Sequence, residues 1–101
     1  MRDVEQIEFA RARELLASGC AFVDVRDDAS YSSAHIPGAI HLTDANVGDF
    51  IAVSDKAKPV VVYCYHGHSS LGGAAYLMEQ GFEKVYSLAG GFESWRRSAA
   101  A

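Results

Sequence analysis

The chain has 101 residues, which is enough for one domain and too few for a two-domain enzyme. Hydrophobic residues make up 50% of it and charged residues 22%, so it has the composition of a packed globule and not of a disordered chain. The formal net charge is −4 and the basic residues are scattered, which argues against a nucleic acid or an anionic membrane surface as a partner.

The cysteine count and the apolar runs favour a cytoplasmic protein. The longest uncharged apolar run, from Pro59 to Tyr65, is far shorter than the roughly 20 residues of a membrane-spanning helix. Met1 is followed by charged residues and not by the hydrophobic stretch of a signal peptide. Small secreted domains usually carry more than two cysteines, so we expect Cys20 and Cys64 to be free thiols.

The N-terminal half alternates strand and helix signals. Apolar residues at helical spacing end at a glycine that suits a helix C-terminus, and β-branched runs without polar alternation are typical of buried parallel strands. In order, this half predicts a short edge strand over Glu5–Ile7, a helix from Phe9 to Leu16, a strand over Ala21–Val25, a tight turn at Ile36–Gly38 and a weaker strand over Ala39–His41.

The C-terminal half continues the same alternation. It predicts a helix carrying Val47, Phe50 and Ile51 after a cap at Thr43 or Asp44, a strand over Val60–Tyr63, a helix from Leu71 to Met78, a strand over Lys84–Ser87 and a final short helical turn with Phe92 and Trp95. The inferred fold is α/β, a small open parallel sheet of four to five strands flanked by helices on both faces.

Ligands of such sheets bind at the carboxyl ends of the strands, so the segments after Val25 and Tyr63 are the places to search. No glycine-rich nucleotide-binding motif occurs in the sequence.

The strongest candidate for a functional residue is Cys64, which directly follows a predicted buried strand and begins the segment C-Y-H-G-H-S-S before a predicted helix. Loop amides and a helix N-terminus would stabilise its thiolate and make the thiol reactive. The alternative interpretation is that Cys64 is only a small buried hydrophobic residue at the end of a strand.

Four motifs together are highly specific: the cysteine loop, F-V-D-V-R from Phe22 to Arg26, A-H-I-P-G-A-I from Ala34 to Ile40, and G-G-F-E-S-W from Gly90 to Trp95. In this order and spacing they resemble the rhodanese family of sulfurtransferases, and most of all its small single-domain bacterial thiosulfate sulfurtransferases. The resemblance covers nearly the whole chain, so residues 1–101 are expected to form a single rhodanese domain.

The resemblance implies that Cys64 is the catalytic nucleophile, which takes the outer sulfur of thiosulfate as a persulfide and passes it to an acceptor. That acceptor is cyanide in an assay, or a thiol such as a thioredoxin-like dithiol protein. No metal and no organic cofactor is required. The residues expected to bind the substrate are those of the loop: Tyr65, His66, Gly67, His68, Ser69 and Ser70.

One departure from the family is the lack of a cation in this loop. Many rhodaneses carry Arg or Lys there, whereas this chain has Tyr65 and Ser69. The anionic donor is therefore expected to bind backbone N–H groups, the hydroxyls of Ser69 and Ser70, and the imidazoles of His66 or His68 when protonated.

Other chemistries have weaker support. A phosphatase or arsenate reductase of the same fold commonly carries arginine six residues after its cysteine, where this chain has Ser70. A non-enzymatic persulfide carrier or binding module remains an alternative. Asp24 and Arg26 are interpreted as a structural salt bridge, and Cys20, at the opposite end of its strand, as a thiol without chemistry.

Overall fold

The computed structural model describes residues 3–100, so the expected domain's terminal residues Met1, Arg2 and Ala101 lie outside the described part. Within residues 3–100 the chain forms five strands and five helices. In chain order they are β1 (Glu5–Ile7), α1 (Phe9–Ala17), β2 (Ala21–Asp24), α2 (Asp28–Ser33), β3 (Ile40–His41), α3 (Val47–Val53), β4 (Val60–Tyr63), α4 (Ser69–Glu79), β5 (Val85–Leu88) and α5 (Gly91–Ala100).

The strands form one sheet in the order β1-β5-β4-β2-β3, and each neighbouring pair is parallel. The fully buried β4 lies in the middle, between β2 and β5. All the carboxyl ends therefore meet at one edge of the sheet, where the loop after β4 is flanked by segments that follow β2 and β5. The predicted parallel α/β sheet is confirmed.

Helices cover both faces, as predicted, because successive side chains of a buried strand point to opposite sides. On β4, Val61 and Tyr63 face one apolar cluster, which includes Trp95 of α5 and residues of α1. Val60 and Val62 face the other, with Leu77 of α4 and partly buried residues of α3. Within residues 3–100, no helix is long and apolar enough to cross a membrane.

One helix was not predicted, and two local predictions were wrong. Helix α2 was not predicted, because none of its six residues is buried and it therefore shows no apolar period; the Asp27 carboxylate caps it by accepting the Ser30 N–H. Helix α5 is ten residues long and not a short turn. The N-cap of α3 is Asn46, whose side chain accepts the N–H of Thr43. By contrast, the tight turn before β3 is confirmed by the Ala39 N–H, which donates to the Ile36 carbonyl at 2.9 Å.

Candidate active site

Cys64 lies directly after the central strand β4, at the carboxyl edge of the sheet. Its side chain is buried, with 5% of the residue exposed. Four residues separate it from Ser69, the first residue of α4, so the chain must turn sharply between the strand and the helix. This turn brings the free N–H groups of the first turn of α4 towards the sulfur.

Four hydrogen-bond donors of the loop and of α4 surround the sulfur. The Gly67 N–H donates to Cys64 Sγ at 3.1 Å, and Ser70 Oγ lies 3.5 Å from the same atom. Burial, the largest single effect, opposes ionisation, but hydrogen bonds from the Ser70 hydroxyl and from the N–H groups of Ser70, Gly67 and His66 outweigh it. The net result is a thiol pKa below its ordinary value.

The lowered pKa predicts how fast the thiol is alkylated as the pH changes. Only the thiolate reacts with iodoacetamide, so the rate at Cys64 should rise with pH and level off above the thiol pKa. We expect the midpoint to lie clearly below about 8.5, the ordinary value for cysteine. Rates measured from pH 5 to 10 by peptide mass spectrometry would check this, and a midpoint at or above the ordinary value would contradict the hydrogen-bond argument.

The loop is held from outside by the N-terminus of α5. The N–H groups of Phe92 and Glu93 donate to the carbonyls of Cys64 and Tyr65 at 2.8 and 3.0 Å. Gly91, with a φ of +60°, lets the two segments approach, since a Cβ there would lie 2.5 Å from each of these carbonyl oxygens. The carbonyls therefore point towards α5, and this fixes the loop with N–H groups directed at the sulfur.

The predicted substrate-binding residues divide into two groups. The side chains of Tyr65, His66, His68 and Ser69 are exposed at the rim of the loop. Gly67 and Ser70 are buried, and they contact the sulfur itself through the Gly67 N–H and the Ser70 hydroxyl. The assignment of these residues to substrate stays a prediction.

A cleft of about 420 Å³ lies beside the loop. Tyr65 and Arg96 contribute to its wall, together with Phe92 and with Ser30 and Ser33 of α2. The Arg96 guanidinium is exposed and pairs with Glu93 at 2.8 Å. The cation of α5 that lies next to the loop is therefore already paired with a carboxylate of the same helix.

Asp24 and Arg26 form a structural ion pair, as predicted. Arg26 Nη2 lies 2.7 Å from Asp24 Oδ2, and both side chains are almost completely buried. The same nitrogen donates to the Ala34 carbonyl at 2.6 Å, and the guanidinium lies 4.3 Å from the centre of the Phe92 ring. The pair therefore connects the end of β2 to the segment after α2 and to α5.

Cys20 lies at the opposite edge of the sheet from Cys64, just before β2. Its thiol donates to the Pro59 carbonyl at 3.2 Å, and both cysteines are free. Burial raises the pKa of the Cys20 thiol, partly offset by the charge of Arg11. The thiol most easily ionised is therefore the one in the loop.

Two contributions to the site were not predicted. The sequence predicts only a turn at Gly90 and Gly91, but in the structure Gly91 lies against the loop backbone. Ser87 on β5 was assigned to a strand and given no further role, yet its hydroxyl lies 2.8 Å from that of Ser70. No local sequence signal marks either contact, because each joins segments distant in the chain.

The geometry of a buried, hydrogen-bonded cysteine sulfur after the central strand of a parallel sheet agrees with a family match. The rhodanese-like domain matches residues 8–98, and the chain belongs to this family.

The chain is also similar to curated sulfurtransferases and to solved structures. The chain is 47% identical to the thiosulfate sulfurtransferase GlpE of Stutzerimonas stutzeri, over 97% of this chain and 90% of that protein. It is 49% identical to GlpE of Pseudomonas savastanoi pv. phaseolicola, over 95% and 91%. A solved structure from Rhodopseudomonas palustris, described as a possible tyrosine phosphatase, superimposes with a TM-score of 0.79 at 29% identity, over 95% of this chain and 82% of that one.

Proposed function

We propose that the protein is a thiosulfate sulfurtransferase that carries sulfur as a persulfide on Cys64, and that residues 1–101 form a single rhodanese domain. The observation that supports this most directly is the thiol of Cys64, which accepts the Gly67 N–H and contacts the Ser70 hydroxyl at the carboxyl end of the central strand. The curated GlpE relatives, close to half identical along almost the whole chain, support the same activity.

The reaction consists of two displacements at sulfur. In the first, the Cys64 thiolate attacks the outer sulfur of thiosulfate, a new S–S bond forms, and the original bond breaks as sulfite leaves with its electron pair. In the second, cyanide or an acceptor thiolate attacks the terminal sulfur of the persulfide, and the Cys64 thiolate leaves. A low thiol pKa assists both steps, because the thiolate is the nucleophile in one and the leaving group in the other.

The loop binds the donor mainly through its backbone. The N–H groups that stabilise the thiolate also face the place where the transferred sulfur arrives, and the hydroxyl of Ser69 and the imidazoles of His66 and His68 lie at the exposed rim. Arg96 lines the neighbouring cleft, and its guanidinium could bind the dianion there if it exchanged its contact with Glu93 for the substrate.

The acceptor is a small thiophile or the thiol of a dithiol protein, since the sulfur of Cys64 is buried but the rim of its loop is exposed. The reaction requires a reduced cysteine. The cytoplasm keeps thiols reduced, so a cytoplasmic location suits the chemistry.

Phosphoryl transfer fits this loop less well. Phosphatases of related fold commonly clamp the phosphoryl group with an arginine six residues after the cysteine. Here that position is Ser70, which is fully buried and contacts the sulfur. A purely passive persulfide carrier would require a partner to load it, whereas the lowered pKa of the Cys64 thiol and the exposed rim of the loop favour direct reaction with thiosulfate.

Direct loading with thiosulfate tests the proposal. After incubation of the reduced protein with thiosulfate, intact-mass spectrometry should show one added sulfur atom, which maps to Cys64 in the peptide digest and disappears on addition of cyanide. The Cys20→Ser variant is the matched control and should load equally. A protein that gains no sulfur from thiosulfate but accepts it from a persulfide donor would instead be a carrier.

A further inference from the structure

Ser87 is a buried polar side chain at a position where the fold calls for an apolar one. It lies on β5, paired with Gln6 of β1 on one side and with Val62 of β4 on the other. Its neighbour on the same face, Val85, belongs to the apolar cluster beneath α4. Ser87 itself is fully buried. A hydroxyl there requires a hydrogen-bond partner, because burying it alone would cost stability.

The partner of Ser87 is the hydroxyl of Ser70, 2.8 Å away, which in turn lies 3.5 Å from Cys64 Sγ. Both serines are 0% exposed, so water does not compete for their hydrogen bonds. The three side chains form a continuous chain from the interior of the sheet to the sulfur, and we refer to them as the hydroxyl chain.

The charge on the sulfur sets the direction of the hydrogen bonds. A thiolate can only accept, so the Ser70 hydroxyl must donate its single proton to Cys64. The Ser70 oxygen then accepts, and Ser87 becomes the donor. Hydrogen bonds arranged in this head-to-tail way polarise one another, which strengthens the bond that reaches the thiolate.

We propose that Ser87 is a positioning residue of the sulfur-transfer site, which orients the Ser70 hydroxyl towards Cys64 and strengthens its hydrogen bond to the sulfur anion. The inference rests on the proposed role of Cys64 as the nucleophile. Ser87 does not contact substrate. Because β5 is hydrogen-bonded to β1 on one side and to β4 on the other, its backbone holds the Ser87 side chain in a fixed position.

The test compares the pH dependence of Cys64 alkylation by iodoacetamide in three variants: Ser87→Ala, Ser70→Ala and the double variant. Below the midpoint, Ser70→Ala should slow alkylation about tenfold, since a hydrogen bond to a charged group corresponds to about one pKa unit. Ser87→Ala should slow it about threefold, because it acts only by polarising that bond. Well above both midpoints the rates should converge on that of the wild type.

The double variant separates action through Ser70 from an independent effect. If Ser87 acts through Ser70, the double variant should behave like Ser70→Ala alone. Ser87→Thr, which keeps the hydroxyl, should restore the wild-type midpoint. Ser18→Ala is the control: it removes the hydroxyl of an exposed serine at the opposite edge of the sheet, which donates to the Leu15 carbonyl, and it should shift nothing.

Other ionisable side chains around the sulfur are common to all variants, so their titration cancels in the comparison. They include Tyr63 on β4, His66 and His68 in the loop, the Asp24–Arg26 pair after β2, and Glu93 on α5.

The proposal would be overturned if Ser87→Ala left the alkylation midpoint unchanged or failed to fold. It would also be overturned if Ser87→Ala shifted that midpoint by the same amount with and without the Ser70→Ala substitution. The alkylation assay needs no sulfur donor. A wild-type protein that does not load sulfur would therefore reject the proposed function and leave the comparison of Ser87 variants valid.

Discussion

Replacement of Cys64 by serine should abolish sulfur transfer from thiosulfate to cyanide and leave the fold intact. A serine hydroxyl is not ionised at neutral pH and cannot hold sulfane sulfur, so turnover should fall by more than about 10³-fold. The smaller oxygen can accept the same N–H groups, and the free energy of unfolding should change by no more than about 1–2 kcal/mol. Steady-state thiocyanate formation and a urea melt measure the two quantities.

Cys20→Ser is the matched control for this prediction, because it removes the other free thiol at the opposite edge of the sheet. It should retain nearly full turnover. Measurable transfer by Cys64→Ser, or loss of transfer by a folded Cys20→Ser variant, would show that the wrong cysteine has been assigned.

Gly91→Ala should have the next largest effect, on activity and stability together. The new Cβ would lie 2.5 Å from the carbonyl oxygens of both Cys64 and Tyr65, and alanine at a φ of +60° is itself strained. Since backbone atoms cannot yield cheaply, we expect a loss of about 2–4 kcal/mol in unfolding free energy. The displaced loop should lower kcat/KM by about 100-fold.

The chain offers a matched glycine for comparison. Gly72, in the first turn of α4, is exposed, and a Cβ there would meet nothing within 4 Å. Gly72→Ala should leave activity unchanged and stabilise the protein by about 1 kcal/mol through its higher helix propensity. Equal behaviour of the two alanine variants, in melts and in kinetics, would mean that the contact between α5 and the loop does not constrain the site.

Gly72 and Gly73 show how much of the helix packing can be predicted from the sequence. Glycines cost helix stability, so this pair in α4 predicts that the helix packs closely against its neighbours. This holds for Gly73, where a Cβ would lie 3.3 Å from a methyl group of Val62, and it is wrong for Gly72. A glycine pair in a sequence indicates that some close approach exists, but which member makes it depends on the rotation of the helix against the sheet.

The strands and Cys64 could be predicted because their signals are local. An uninterrupted β-branched run such as Val60–Tyr63 marks a central strand, and the residue after it must lie at the ligand edge. Helix α2 has no such apolar signal, since it buries no residue, and the Asp27 cap by itself is equally compatible with a turn. The contacts of Gly91 and Ser87 likewise join segments that only the sheet order brings together, and the loop's role in substrate binding stays a prediction.

The position of β4 in the middle of the sheet has a consequence for how the reactive sulfur survives local opening. Proteins open in parts, and short outer elements separate from the body more often than central ones. Here the outer strands β1 and β3 have three and two residues, whereas Cys64 follows a strand that is paired on both sides. Fraying at either margin should therefore leave Cys64 enclosed, and a sulfur atom stored there, as proposed, would stay shielded from stray reductants between the two displacements.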